Sequence, residues 1–274
     1  MNLENIITQI EKVDPEIYGR LDGRRQAIKN FTRFAGKVTV ASIPIALGTM
    51  FKKAYGAVPS TVIEVLNFAL TLEYLEASFY EMGNASANLI PAGAEANAFV
   101  TIGAHENAHV NLLKGAITAA MGTPVTKPTF DFTAGGNFNT VFSSYDTFLA
   151  VSQAFEDTGV RAYKGQAGVL MTNNDVLTVA LNIHSVEARH ASHVRRLRQL
   201  RGAVQKPWIT LKSTGGIGAA VQPNYNGEEV TMQGTIEIVG INGQAIDANA
   251  ASESFDEPLS YDQVIAIVTP FFAV

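Results

Sequence analysis

Residues 103–117 are GAHENAHVNLLKGAI and residues 184–197 are HSVEARHASHVRRL, and each stretch sets Glu-x-x-His within an apolar helical pattern. The first stretch supplies Glu106 and His109. The second supplies Glu187 and His190. Residues three apart share a helix face, so the glutamate and histidine of each stretch can contact one common partner.

A lone glutamate precedes each of these pairs. Glu73 lies 33 positions before the first pair's glutamate, and Glu156 lies 31 positions before the second pair's. A tyrosine follows each lone glutamate by seven positions, as Tyr80 and Tyr163. The order Glu, then Glu-x-x-His, therefore occurs twice, which is typical of four helices that surround a pair of metal ions.

Apolar residues at three- and four-residue intervals predict four helices, over about residues 61–82, 92–121, 145–171 and 175–201. An acidic residue interrupts the apolar stripe near the middle of each helix. Buried carboxylates without partners are strongly destabilising, so the pattern indicates that bound cations offset them.

The second and third predicted helices are joined by a long segment rich in Gly, Pro, Thr and Asn, about residues 122–144. Such a crossover lets the two helices it joins run parallel. We therefore predict an all-α core, a four-helix bundle with a long crossover between helices 2 and 3.

The last part of the chain changes pattern. Residues 230–238 alternate apolar and polar side chains, and Asn242-Gly243 suits a tight turn, which together predict a small β-hairpin appendage. Ser260 is a suitable N-cap for a short helix over residues 262–268.

The first part is basic, and we predict a helix around residues 4–19. Arg24-Arg25 resembles a twin-arginine export signal, and the uncharged stretch 38–51 is too short to span a bilayer comfortably. Two hypotheses stay open: export to the periplasm by the twin-arginine route, or a cytoplasmic protein whose basic helix packs on the body. We do not expect an integral membrane protein. The predicted units are residues 1–58, the bundle at 59–202 and a C-terminal extension at 203–274.

Composition limits the chemistry. The chain has no cysteine, which excludes thiolate zinc sites, iron–sulfur clusters and disulfides, so any metal is held by oxygen and imidazole nitrogen. Residues 1–53 carry nine Lys+Arg against five Asp+Glu, which leaves a net charge of −9 on the rest. A nucleic-acid partner is therefore not expected for this acidic body.

Carboxylates and imidazoles in this ratio suit two divalent ions, iron or manganese, although zinc also accepts such donors. The expected ligands are Glu73, Glu106, His109, Glu156, Glu187 and His190. Glu106 and Glu187 would bridge the two ions, and each histidine would bind one of them. Tyr80 and Tyr163 lie two turns along the same faces, close enough to contact the ligands.

Glu76 is the main alternative to Glu73, because it lies one turn further along nearly the same face. We prefer Glu73, since only its seven-residue offset to tyrosine matches the second half of the chain. Asp157 and Arg161 are expected to be charges on the outer face of their helix, with a contact to the ligands as the alternative for either.

Three further histidines flank the motifs. His184 and His193 are interpreted as partly exposed or hydrogen-bonded residues, with a role as additional ligands as the alternative. His105 points about 100° away from Glu106, so we expect it at a packing boundary rather than among the ligands.

Several segments together resemble the ferritin-like superfamily, and within it the bacterial branch that includes desiccation-related proteins. They are LNFALTLEYLEASFY (66–80), GAHENAHVNLLKGAI (103–117), KPTFDF (127–132), FEDTGVRAYKGQAG (155–168) and HSVEARHASHVRRL (184–197). The resemblance covers roughly residues 60–202, and FDEPLSYDQVIAIVTPF (255–271) is similar to the usual ending of that branch.

The resemblance implies a dinuclear iron or manganese site carried by the six ligands above. Our leading hypothesis is a dimetal oxidoreductase of peroxidase, catalase or ferroxidase type that acts on peroxide or dioxygen in oxidative or desiccation stress. The alternative is a non-enzymatic structural or binding protein of the cell envelope that uses the bundle as a scaffold. A homo-oligomer is compatible with either, but the C-terminal extension argues against a storage cage.

Overall fold

Four long helices dominate the computed structural model, which describes residues 61–273. They are α1 (Val62–Ala85), α2 (Ala94–Ala119), α3 (Tyr145–Leu170) and α4 (Asn174–Leu200). Helix α1 packs along α2, α3 packs along α4, and α1 against α3 joins the two pairs. The predicted bundle and its crossover between α2 and α3 are confirmed.

Polar residues mark where three of these helices begin. Thr61 and Glu64 form a reciprocal capping box at the start of α1, with bonds of 3.2 and 3.0 Å. Ser144 caps α3 and Asn173 caps α4 through their side-chain oxygens. Each cap satisfies backbone donors that a helix leaves unpaired, which stabilises the helix by about 1 kcal/mol.

Helix α3 is the central element of the described fold, because every residue from Val151 to Tyr163 is buried. One side of α3 faces the other bundle helices. The C-terminal extension covers the opposite side, where Leu259 N donates to Arg161 O at 3.1 Å. The backbone there approaches so closely that a Cβ on Gly165 would lie 2.0 Å from Leu259 O.

The extension contains short elements. They are a 3₁₀ helix (Ala219–Asn224), β1 (Met232–Gln233), β2 (Ile236–Glu237), α5 (Ala248–Ser252) and α6 (Tyr261–Val268). Strands β1 and β2 pair antiparallel, as predicted. The predicted position of the hairpin turn was wrong: the chain reverses at Gly234-Thr235, where Gly234 has φ +61°, and Asn242-Gly243 lies in a later 3₁₀ turn. Ser260 caps α6, as expected.

Buried ion pairs attach the extension and the end of α4 to α3. Arg195 donates to both oxygens of Asp157 at 2.9 and 2.7 Å, and Tyr225 Oη donates to Asp157 Oδ2 at 2.8 Å. Arg161 Nε lies 2.7 Å from Glu228 Oε1. The expectation that Asp157 and Arg161 are outer-face surface charges was therefore wrong, because the extension covers that face.

The crossover also packs onto the end of the chain. Phe132 and Phe138 enter the core, and Phe130 forms an isolated antiparallel bridge with Phe272. Asp131 N donates to Phe271 O at 2.8 Å. The crossover and the end of the extension thus stabilise each other beside the bundle.

None of the helices in residues 61–273 combines the length and apolarity needed to cross a bilayer. The predicted helix at 4–19, the arginine pair and the apolar stretch 38–51 lie outside the described residues.

Candidate metal centre

All six predicted ligands lie together in the middle of the bundle. The four glutamates are 0% exposed, and the histidines are 7% and 5% exposed. Their donor atoms form two overlapping groups, each with atoms within 4.8 Å of one another. The first group is Glu73, Glu106, His109 and Glu187, and the second is Glu106, Glu156, Glu187 and His190. Glu106 and Glu187 belong to both groups, so they lie between the two positions.

The first position surrounds one imidazole nitrogen with three carboxylates. His109 Nδ1 lies 3.1 Å from Glu73 Oε2, 3.0 Å from Glu106 Oε2 and 3.2 Å from Glu187 Oε1. A single nitrogen carries at most one proton, so it cannot satisfy three oxygens at once. At least two of the three carboxylate oxygens therefore receive no hydrogen bond from His109.

The second position holds five buried polar atoms without hydrogen-bond partners: Glu106 Oε1, Glu156 Oε2, both oxygens of Glu187, and His190 Nδ1. His190 Nδ1 lies 2.9 Å from Glu106 Oε1 and 3.3 Å from Glu156 Oε2, but the directions do not make hydrogen bonds. Buried polar atoms in native proteins nearly always have partners. Oxygen and imidazole nitrogen atoms that converge without hydrogen bonds between them fit divalent cations.

Arginine does not supply the missing positive charge among the described residues. The fully buried arginines of α3 and α4, Arg161 and Arg195, pair with Glu228 and Asp157 on the other side of α3. The carboxylates of the centre therefore need another source of positive charge.

The local charges shift several pKa values. Burial raises the pKa of Glu73 to about 7, although His109 partly opposes it. Burial, with the neighbouring charges of Glu106 and Glu156, holds the pKa of Glu187 well above its ordinary value. Glu106 differs: burial opposes its ionisation, but the hydrogen bond with His109 and the close positive charge of His190 lower its pKa to about 2.

Both histidine pKa values are raised. Burial disfavours the charged form of His190, but Glu156 and Glu106 outweigh it and raise the pKa to about 11. The pKa of His109 is raised further by its contacts with Glu106 and Glu187. Without metal, both imidazoles are therefore protonated at neutral pH and partly neutralise the cluster.

The two tyrosines contact two of the converging glutamates. Tyr163 donates a hydrogen bond to Glu73, and Tyr80 donates one to Glu156. Tyr80 also bonds Ser152 at 2.7 Å. Burial raises the pKa of both tyrosine hydroxyls well above the ordinary value, so each remains a proton donor to its carboxylate.

Glu76 is buried beside the centre, at 4% exposure. It belongs to neither group of converging donors, whereas Glu73 belongs to the first. A Cβ on Gly159 of α3 would lie 3.3 Å from Glu76 Oε1 and 3.2 Å from Glu187 Oε2. Gly159 follows Glu156 by three positions, and Glu76 follows Glu73 by the same interval. The second half of the chain therefore has a glycine where the first half has Glu76, and the missing side chain leaves room for the Glu76 carboxylate.

Sequence reasoning missed one contact. His105 is exposed, and its Nδ1 lies 3.0 Å from His190 Nε2, with the ring planes 12° apart and the centroids 5.3 Å apart, so the two rings lie edge to edge and nearly coplanar. The angle from Glu106 correctly places His105 outside the two groups, but periodicity on α2 cannot show what α4 presents to it. His184 is half-buried with Nδ1 2.9 Å from Val160 O, and His193 is exposed.

Comparison with known proteins gave one match, a family model described as a ferritin-like domain, over residues 61–200. The matched segment is more than half of the chain, and it contains the four bundle helices and all six converging residues. Comparisons with curated proteins and with solved structures found no match.

Proposed function

The chain belongs to the ferritin-like domain family, and from that premise we propose that its bundle holds two divalent metal ions and acts as an oxidoreductase on dioxygen or peroxide. The observation that carries the proposal is the set of buried donors without hydrogen-bond partners at the second position. Four ionised carboxylates around two divalent ions would be electrically balanced, whereas without metal the cluster approaches neutrality only by holding extra protons on its histidines and glutamates.

In this proposal each residue of the centre has a defined task. Glu106 and Glu187 would help to hold both ions, because each belongs to both groups. Glu73 and His109 complete the first position, and the corresponding residues of the second half, Glu156 and His190, complete the second. Donors of this kind, without thiolates, suit iron or manganese.

A bound iron or manganese pair supplies two-electron redox chemistry toward small oxidants. The residues of this chain hold the ions, orient the ligands and exclude water. The ligands lie on rigid helices, Tyr80 and Tyr163 hold the two terminal carboxylates in fixed orientations, and burial limits access to small molecules. Stress protection and membership of the desiccation-related branch belong to the same proposal.

The test compares the wild type with a Glu106→Gln/Glu187→Gln variant. Wild-type protein should bind two Fe(II) or Mn(II) per chain, and it should consume peroxide or oxidise Fe(II) faster than buffer. The double variant should lose both properties while circular dichroism shows the same helix content. Glu81→Gln is the matched control, because it makes the same change at an exposed glutamate of α1, the helix that carries Glu73. A loaded wild type that performs neither reaction would remove the enzymatic part of the proposal.

A scaffold role in the cell envelope is the second candidate, and one observation favours it. The hairpin exposes Met232 and Ile236, at 50% and 56%, on an extension that buried ion pairs attach to the bundle. If the double variant keeps the protein's cellular location and phenotype, the scaffold role is preferred.

A further inference from the structure

His190 has a different contact on each of its two ring nitrogens. Its Nδ1 faces Glu106 and Glu156, and its Nε2 lies 3.0 Å from His105 Nδ1. When the Nδ1 of a neutral imidazole binds a metal, its proton is on Nε2. His190 then donates to His105, and the exposed His105 is the acceptor.

Such a contact fixes the orientation of the ring. An imidazole can rotate about χ2 and exchange the nitrogen that faces inward, so an outer hydrogen bond is what keeps the correct nitrogen on the metal. The two rings are nearly coplanar and meet edge to edge, so an N–H in the plane of one ring points at the nitrogen of the other.

The two halves of the centre differ at this point. His105 immediately precedes Glu106, and the residue at the equivalent place before Glu187 is Val186, which cannot accept a hydrogen bond. Among the described residues, the hydrogen bonds of His109 all involve Nδ1. One ligand histidine therefore has an outer partner at the protein surface, and the other does not.

We propose that His105 is a positioning residue for His190, and that it sets the affinity of the second metal position independently of the first. This inference rests on the proposed function, because it requires that the centre binds two ions. It assigns a role to a residue outside both groups of converging donors.

The experiment titrates metal-free full-length protein with Co²⁺ and follows binding by calorimetry and by the visible absorption of the ion. Wild type should show two binding steps. His105→Phe retains a planar aromatic ring at this position but removes the acceptor, so one step should weaken about 10- to 100-fold and the other should not change. His105→Gln retains an acceptor and should restore most of the affinity.

His193→Phe is the matched control, because it makes the same change at an exposed histidine one turn from His190 that has no hydrogen bond to a described residue. It should leave both steps as in wild type. His190→Ala identifies the step that belongs to the second position.

A second readout separates positioning from a general loss of stability. In the Co²⁺-loaded protein, the Nε2 proton of His190 gives a paramagnetically shifted NMR signal, which the bond to His105 should protect from exchange with water. In His105→Phe this signal should broaden or disappear, while the corresponding signal of His109 remains.

Three results would overturn the inference. Two unchanged steps in His105→Phe would show that the contact has no effect on binding, and an equal loss in both steps would show a non-specific effect. In either case the proposed function survives, because wild type still binds two ions. A wild type that binds no ion would overturn both proposals together.

Discussion

The hydroxyl of Tyr80 on α1 donates a hydrogen bond to the carboxylate of Glu156 on α3. The same relationship occurs in reverse, since Tyr163 on α3 donates to Glu73 on α1. Each tyrosine therefore serves the glutamate of the other half of the chain. The equal offset of seven residues in the two halves produces this exchange, because α1 and α3 contact each other along the faces that carry all four residues.

Removing one of these hydroxyls should weaken the centre without a change of fold. Tyr163→Phe leaves Glu73 Oε1 buried without its donor, which should lower the free energy of unfolding of the metal-free protein by about 1–3 kcal/mol. Metal affinity should fall about 10- to 100-fold, since the carboxylate is no longer oriented. Urea denaturation and Co²⁺ titration measure the two effects. Tyr74→Phe is the control, because the Tyr74 hydroxyl has no hydrogen bond to a described residue and its loss should change neither quantity.

The stability of the metal-free protein should decrease as pH rises from 5 to 8. The folded-state pKa of Glu73, about 7, is above its ordinary value of 4.5, so between these values the folded state binds more protons than the unfolded state. His190, with a pKa of about 11 in place of 6.5, adds stability that is complete below pH 6.5 and is lost as pH rises toward 11. Both effects make alkaline pH destabilising.

The metal-loaded protein should show the opposite trend over this range, because the same two side chains must release protons before they bind an ion. Thermal unfolding at pH 5 and pH 8, with and without a chelator, tests both directions. In metal-free Glu73→Gln, the stability should change less between pH 5 and pH 7 than it does in the wild type. An equal decrease with pH in both forms would show that these groups do not bind the metal.

Gly159 should be needed for the packing of carboxylates. In Gly159→Ala the new Cβ would lie 3.2 Å from Glu187 Oε2 and 3.3 Å from Glu76 Oε1, so one carboxylate must move. We expect weaker metal binding. A glycine-to-alanine change within a helix normally increases stability by roughly 0.5–1 kcal/mol, and Gly159→Ala should gain little of this. Gly168→Ala on α3 is the control, since nothing lies within 4 Å of its new Cβ. It should increase stability and leave metal binding unchanged; the same result for Gly159 would contradict the packing argument.

Local patterns predicted most of the bundle. The four helices follow from apolar periodicity, and the convergence of the six ligand candidates follows from where Glu-x-x-His and the lone glutamates fall on those helices. That these residues bind metal stays a prediction, as do the unit boundaries and export. Glu73 and Glu76 are both buried. Which of them reaches the converging donors depends on the distances between helices, and apolar periodicity gives no information on those distances.

Two features depend on the packing of distant segments, so a local pattern could not predict them. Asp157 and Arg161 look like surface charges until the extension covers α3. His105 gains its role only because α4 presents His190 to it. The hairpin turn is a different case, because it is local: both Gly234-Thr235 and Asn242-Gly243 suit a turn, and the strands pair across the first of them.

The last prediction concerns the buried pair of Asp157 and Arg195. Asp157→Asn leaves Arg195, which is 2% exposed, without its counter-charge, and such a change typically costs about 3–5 kcal/mol. Tyr225 also loses a charged acceptor, so the extension should separate from α3 and become sensitive to protease around residues 203–230. Asp146→Asn is the matched control, because the pair of Asp146 and Arg201 is exposed and should contribute no more than about 1 kcal/mol. Urea denaturation with limited proteolysis measures both. If the two variants lose equal stability, the extension is not held by its buried charges, and the packing of its apolar residues, such as Val221 and Leu259, must hold it instead.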